Sequence, residues 1–267
     1  MCGFLCFVSG NPDHLPLIPE SLLIHRGPDN VSQVSYRNTI IKHWRLSIVD
    51  LSSSSDQPLE DNDFILAYNG ELYHYEELGR SLFRKTYSSD TKLLFDILSK
   101  GNKRLLKGIS GFYSYLFLDK MANIIRGSRD VWGQKPMFFH ISENKAIFAS
   151  EDTAIQHLLG HSGNVDSNGI LNYLLFKDRF MGKTCFANIH ELAPGSEFKF
   201  NIANWNFEVD KDWQSFYEEK FEDHVSNNQH KEASTTKLID SINSSIDARF
   251  NCDVPVQICL SGGIDSS

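Results

Sequence analysis

Met1-Cys2-Gly3-Phe4-Leu5-Cys6-Phe7-Val8 is an unbroken apolar run, closed by the turn signal Asn11-Pro12-Asp13. So short a run, bounded by a turn, predicts a strand buried on both faces. On a strand Cys2 and Cys6 share one face about 13 Å apart, too far for a disulfide or a common metal. The run lacks a basic lead-in, so a secretory leader is not expected. The position of Cys2 carries the chemistry. If the initiator Met is removed, a thiol and a free α-amine stand on one residue. An α-amine titrates near about 7.7–8.0, so it can act as base for its own side chain. Taken by position alone, a buried strand cysteine that only packs is the ordinary reading.

The rest of the chain narrows the choice. Its 267 residues hold 26 Lys and Arg against 34 Asp and Glu, a net charge of −8, which argues against a nucleic-acid partner. The 41% hydrophobic content, with 19 Phe and 9 Tyr, supports one large core rather than disorder. No apolar run reaches the roughly 18 residues of a membrane span. The five cysteines are dispersed, with no CxxC pair, so no metal site is expected and a reducing, cytoplasmic setting is.

Up to about Phe200 the pattern predicts strands with a few helices. Val34–Tyr36 and Thr39–Ile48 form a hairpin around Arg37-Asn38, and Phe64–Tyr68 is a strand ending at Asn69-Gly70. Ser89 caps a helix that Gly101 stops, and Asp166 or Ser167 caps another through Leu175. Phe112–Leu118, Asn123–Arg129, Met137–Ile141, Ala146–Ala149 and Glu197–Phe200 are further strands. A polar stretch follows, then the helical stripe Leu238, Ile239, Ile242, Ile246, Phe250, the apolar run Val254–Leu260 and the loop Ser261-Gly262-Gly263-Ile264-Asp265-Ser266-Ser267. Helix, buried strand and glycine loop open an α/β unit, whose further strands do not follow. The upstream domain owns its core and is expected not to depend on this segment.

In order, His25-Arg26-Gly27-Pro28-Asp29, Arg45-Leu46-Ser47-Ile48-Val49-Asp50, Asn69-Gly70-Glu71-Leu72-Tyr73, Ser89-Asp90-Thr91, Arg129-Asp130, Gly133-Gln134-Lys135-Pro136 and Phe148-Ala149-Ser150-Glu151 mark the chain. Their order and spacing resemble the glutaminase domain of the class II glutamine amidotransferases, the N-terminal-nucleophile hydrolases, nearest to glutamine-dependent asparagine synthetases. Lys92 and His74 stand where that family has Glu and Asn. The resemblance implies an α+β fold, a four-layer αββα sandwich over residues 1–207. A linker at 208–233 and the start of an α/β ATP-pyrophosphatase domain at 234–267 follow.

The expected site follows from the reaction. Thiol attack on an amide makes an oxyanion, which needs fixed N–H donors. The Asn69 side chain and the Gly70 backbone are the candidates, although Asn-Gly is also the commonest turn. Glutamine carries a carboxylate and an ammonium at its α-carbon. Arg45 suits the first by its guanidinium fork, and Glu71 and Asp90 suit the second. By resemblance, Ile48 and Val49 line the pocket. Arg26, Asp29, Arg129, Asp130 and Lys135 are read as structural. Gly262 and Gly263 with the hydroxyls of Ser261 and Ser266, and Asp265 to meet Mg²⁺ or order the loop, resemble a pyrophosphate loop. The implied partner is L-glutamine, with no nucleic acid and no membrane; a homodimer is admitted but not required. The glutaminase needs no cofactor, whereas the complete protein would use ATP and Mg²⁺, with aspartate as the default acceptor. Another carboxylate, in polysaccharide or natural-product biosynthesis, and a non-catalytic domain of the same fold are the alternatives.

Overall fold

A computed structural model describes residues 1–11, 13–101, 103–106, 109–160, 164–177, 182–210 and 235–264. Two six-stranded sheets dominate it. The strands are β1 Gly3–Ser9, β2 Asn30–Tyr36, β3 Thr39–Arg45, β4 Leu59–Glu60, β5 Phe64–Leu72, β6 Gly111–Asp119, β7 Ile124–Arg129, β8 Phe138–Ile141, β9 Lys145–Ala149, β10 His190–Glu191, β11 Glu197–Asn201 and β12 Asn206–Asp210. The first sheet runs β10-β8-β9-β1-β3-β2 and the second β12-β11-β7-β6-β5-β4. The helices are α1 Tyr75–Phe83, α2 Asp90–Ser99, α3 Lys103–Leu106, α4 Asp152–Leu159, α5 Ser167–Phe176 and α6 Thr235–Asp247.

Alternation along β1 explains the layering. Phe4, Cys6 and Val8 face the second sheet and join Ile65, Ala67, Leu116, Leu118, Phe198 and Phe200 in the core between the sheets. Leu5 and Phe7 face the other way, against Ile18, Leu23, Trp44, Ala154 and Ile155. On the far side of the second sheet Leu66, Tyr68 and Phe117 pack on Leu93, Leu94 and Ile97 of α2. Helices thus cover the outer faces of two stacked sheets. Phe148 and Phe198 stack across the interface with centroids 4.6 Å apart, a contact whose truncation to Ala typically costs about 3–5 kcal/mol.

The expected strands and helices occur with small shifts. Ser89 caps α2 by accepting the Lys92 N–H, and Asp166 caps α5 by accepting that of Asn168. Three differences matter. Asn69-Gly70 is no turn, because β5 continues through both to Leu72. β12 pairs with β11 as far as Asp210, so the first domain's sheet extends past Phe207. The strand expected at Val254–Leu260 is absent, with Val256, Ile258 and Leu260 exposed. A strand exists only through its neighbours' hydrogen bonds, and an apolar run cannot supply them alone. The α6 stripe forms, but Leu238, Ile239, Ile242 and Ile246 are exposed. Most of the expected linker, and Asp265 and Ser266, lie outside the described residues. No described helix is long and apolar enough to cross a membrane.

Candidate active site

A cleft opens at one end of the sandwich, where β1 begins and β5 finishes. Cys2, Asn69, Gly70, Glu71, Asp90 and Lys135 line it, with Ile48 and Val49 on the wall made by the loop after β3. The same alternation that sends Phe4 and Cys6 between the sheets turns Cys2 toward the second sheet. Its Sγ sits between backbone groups of Leu46, accepting the N–H at 3.4 Å and donating to the carbonyl at 3.5 Å. Burial pushes the thiol up, more than the Leu46 N–H and the nearby amine pull it down. Burial also lowers the Met1 amine, assisted by the charges of Lys135 and Arg26. Met1 is half-exposed at the cleft mouth. Arg26 donates from Nε to the Cys2 carbonyl at 3.0 Å and pairs with Glu151 at 3.0 Å, fixing the backbone that carries the thiol.

Two donors line the cleft with Cys2. Asn69 is 1% exposed, and its Nδ2 has no hydrogen-bond partner among the described residues. A buried amide without a partner costs stability, and it fits an acceptor supplied by a ligand. The Gly70 donor follows from the ladder. Tyr68 N–H leaves the sheet for Gln57 Oε1 at 2.7 Å, and Leu72 N–H leaves it for Asp90 Oδ2 at 3.0 Å. In an antiparallel strand alternate N–H groups share a side, so that of Gly70, between them, also points away from β6. Glycine is required because a Cβ here would lie 2.2 Å from the Phe112 carbonyl oxygen.

The carboxylates lie beside these donors. Asp90 accepts from the Tyr68 hydroxyl at 2.9 Å and from the Thr91 N–H at 2.7 Å, yet burial raises its pKa above the ordinary range. Glu71 is also raised, by burial and then by Asp90, while Lys135 opposes. The two carboxylates therefore share a site short of positive charge.

Arg45 is held by groups of the protein itself. Its guanidinium turns into the loop after β3, paired with Asp56 at 2.5 Å and bonded to the carbonyls of Ser52 at 2.8 Å and of Asp50. It does not line the cleft, whereas Ile48 and Val49, at the base of that loop, do. Asp50 is held below the usual carboxylate range: burial opposes this, but the Ser52, Ser55 and Ser88 hydroxyls prevail. Arg26-Gly27-Pro28-Asp29 braces the loop from below. Asp29 accepts the Ser47 N–H at 2.8 Å, and a Cβ on Gly27 would fall 2.3 Å from Trp44 backbone.

The segment after α6 also reaches this loop. Asp253 N–H donates to the Ile48 carbonyl at 2.9 Å, and the Arg249 guanidinium sits 4.9 Å from the Tyr73 ring centroid. The candidate phosphate loop is remote in character. Gly263 N–H turns back on Ser261 Oγ at 3.4 Å, and Ser261, Gly262 and Gly263 are exposed.

Two sheets with a thiol and oriented N–H donors in one cleft make a site for attack on an amide carbonyl. The glutamine amidotransferase domain family matches residues 1–213, and the chain belongs to that family, the class II glutamine amidotransferases. It is 28% identical to asparagine synthetase [glutamine-hydrolyzing] 1 of Bacillus subtilis over 280 residues, covering 100% of this chain and 43% of that protein. It is 26% identical to amidase chry2 of Gibberella zeae, covering 100% of this chain and 42% of the relative. The chain thus spans less than half the length of these curated relatives. In fold it resembles glutamine phosphoribosylpyrophosphate amidotransferase from B. subtilis, with a TM-score of 0.54 at 17% identity over 78% of this chain and 49% of that one.

Proposed function

We propose that the chain hydrolyses L-glutamine to glutamate and ammonia with Cys2 as nucleophile. Removal of Met1 frees the Cys2 α-amine, which takes the thiol proton as sulfur attacks the side-chain amide carbon. The oxyanion so formed accepts from Asn69 Nδ2–H and Gly70 N–H. As the tetrahedral intermediate collapses, the C–N bond breaks and the ammonium returns its proton to the leaving nitrogen, releasing ammonia. Water then attacks the thioester under the same amine, yielding glutamate and the free thiol. Glu71 and Asp90 hold the substrate ammonium. Arg45 reaches the α-carboxylate by exchanging Asp56 for it, so the loop tightens on the occupied pocket.

The observation that carries this reading is the unpartnered, buried Asn69 amide beside the Gly70 N–H, in the cleft that Cys2 lines. The test is glutamate and ammonia release from glutamine by protein whose Met1 removal is verified by mass. An inactive mature protein that an electrophilic glutamine analogue fails to label at Cys2 would overturn it.

In the whole protein, ammonia would pass to an ATP- and Mg²⁺-dependent synthetase domain that amidates aspartate. The asparagine synthetase relative supports this reading; within it, residues 1–207 are the glutaminase domain, 208–233 a linker and 234 onward the start of the second domain. In a second reading another carboxylate is the acceptor; the Gibberella relative, similar at 26% identity, is named an amidase and not an asparagine synthetase. Acceptor-dependent ATP consumption by the whole protein separates the two.

A further inference from the structure

Lys135 occupies the cleft although sequence reasoning treated it as structural. It is 9% exposed and lines the same cavity as Cys2, Asn69, Gly70 and Glu71. Its Nζ lies 4.4 Å from the Phe112 ring centroid, a cation–π seat that holds the ammonium without neutralising it. Burying a lysine is costly, so its surroundings need explaining.

The loop Asp130–Pro136 is built to deliver this side chain. Asp130 accepts backbone N–H groups from Trp132 at 3.1 Å and Gln134 at 3.0 Å through Oδ1, and from Lys135 at 2.9 Å through Oδ2. Arg129 donates to the carbonyls of Lys135 at 2.9 Å and Gly133 at 2.8 Å. Lys135 is therefore pinned at both its N–H and its C=O, with its ammonium aimed into the cleft.

We propose that Lys135 is a positioning residue of the glutamine-hydrolysis site, its ammonium biasing Cys2 toward free amine and thiolate. This rests on the proposed role of Cys2. A cation beside the pair disfavours a second positive charge on the amine and favours a negative one on sulfur. The other groups acting on the pair are Tyr68 from β5, Asp90 from α2, Arg26 and Asp29 from the loop before β2 and Arg45 from β3, while Glu71 from β5 and Asp130 act on Lys135 itself. Asp29 raises the amine and Asp90 raises the thiol, both the unproductive way, and Lys135 opposes the first. The lowering of the Met1 amine by Lys135, and the raising of Lys135 by Glu71 and Cys2 against its burial, agree in sign.

The test compares wild type, Lys135→Met and Lys135→Arg in protein lacking Met1. Two profiles are measured against pH: kcat/KM for glutamine, and the rate of Cys2 alkylation by iodoacetamide, with Cys2→Ala as blank. In Lys135→Met both profiles should move to higher pH by roughly half a unit or more, and alkylation at neutral pH should slow at least about threefold. Lys135→Arg should restore most of each shift, and KM should change less than kcat. Unmoved profiles in a folded Lys135→Met protein would overturn the proposal. Alkylation reads Cys2 even if glutamine is not the substrate, so loss of the glutaminase reading and loss of this one are told apart.

Discussion

Asp253 and Asp50 are 203 positions apart, yet the Asp253 carboxylate accepts the Asp50 N–H at 2.7 Å. Its own N–H goes to the Ile48 carbonyl at 2.9 Å, so one residue holds the pocket loop by donor and acceptor together. A hydrogen bond to a charged group at a partly exposed site contributes about 1 kcal/mol, roughly fivefold in affinity. Asp253→Ala should raise KM for glutamine by about that factor with kcat little changed, and should speed proteolysis within Ile48–Asp56. An unchanged KM would show that the clasp does not act on the pocket.

Cys2→Ala should abolish glutaminase turnover by several orders of magnitude while leaving the melting temperature near wild type. Cys6, fully buried on the same face of β1, is the internal control. Cys6→Ala should lower stability by about 1–2 kcal/mol through lost packing and retain turnover. Equal loss of activity in both variants would point to the strand rather than to the thiol.

Asn69→Ala removes a donor and leaves a small void. The expected cost is about 100- to 1,000-fold in kcat, the range found when one oxyanion donor is deleted. KM should move little, because the ground-state carbonyl gains less from that donor than the oxyanion does. A tenfold KM change at constant kcat would instead make Asn69 a binding residue.

Arg45→Ala should raise KM more than it lowers kcat, at about 2–4 kcal/mol in kcat/KM. Arg45→Lys keeps the charge but cannot bridge Asp56, Ser52 and Asp50 together, so it should recover only part of the loss. A decisive complement is Asp56→Asn. If Asp56 holds the place of the substrate carboxylate, this variant should bind glutamine at least as well as wild type.

His43 links acid stability to the fold. It is fully buried between β3 and β5, with Nε2 donating to the Tyr68 carbonyl at 3.0 Å, and burial lowers its pKa to about 4. The unfolded chain binds the proton more readily. The neutral ring therefore contributes fully above about pH 6.5, and its contribution fades as pH falls toward 4, by on the order of 3 kcal/mol. His43→Gln keeps a donor for Tyr68 and should flatten that part of the stability profile, measured by thermal melts between pH 7 and 4.5.

Where local pattern and burial coincide, the fold is legible in sequence. The continuous apolar run of β1 and the Ser89 cap of α2 are read from a few adjacent residues. Asn69-Gly70 reads as a turn, since its reason for being in a strand is the approach of Phe112, which lies far along the chain. Val254–Leu260 carries a strand's composition without a strand's partner. The cleft's cast was visible as residue types, but not its division of labour. Arg45 is held by loop carbonyls, and Lys135 is drawn in by bonds to Asp130 and Arg129.

β1 is paired over Gly3–Val8 with β3 on one side and over Leu5–Ser9 with β9 on the other. A shift of one residue would turn Phe4, Cys6 and Val8 out of the core, so the strand has no slack to take up extra length. Whatever precedes Cys2 must therefore leave by the cleft mouth, where Met1 is half-exposed. For recombinant work this settles where an affinity tag belongs. A scar of even one or two residues ahead of Cys2 would cap the amine and stand in the mouth of the cleft.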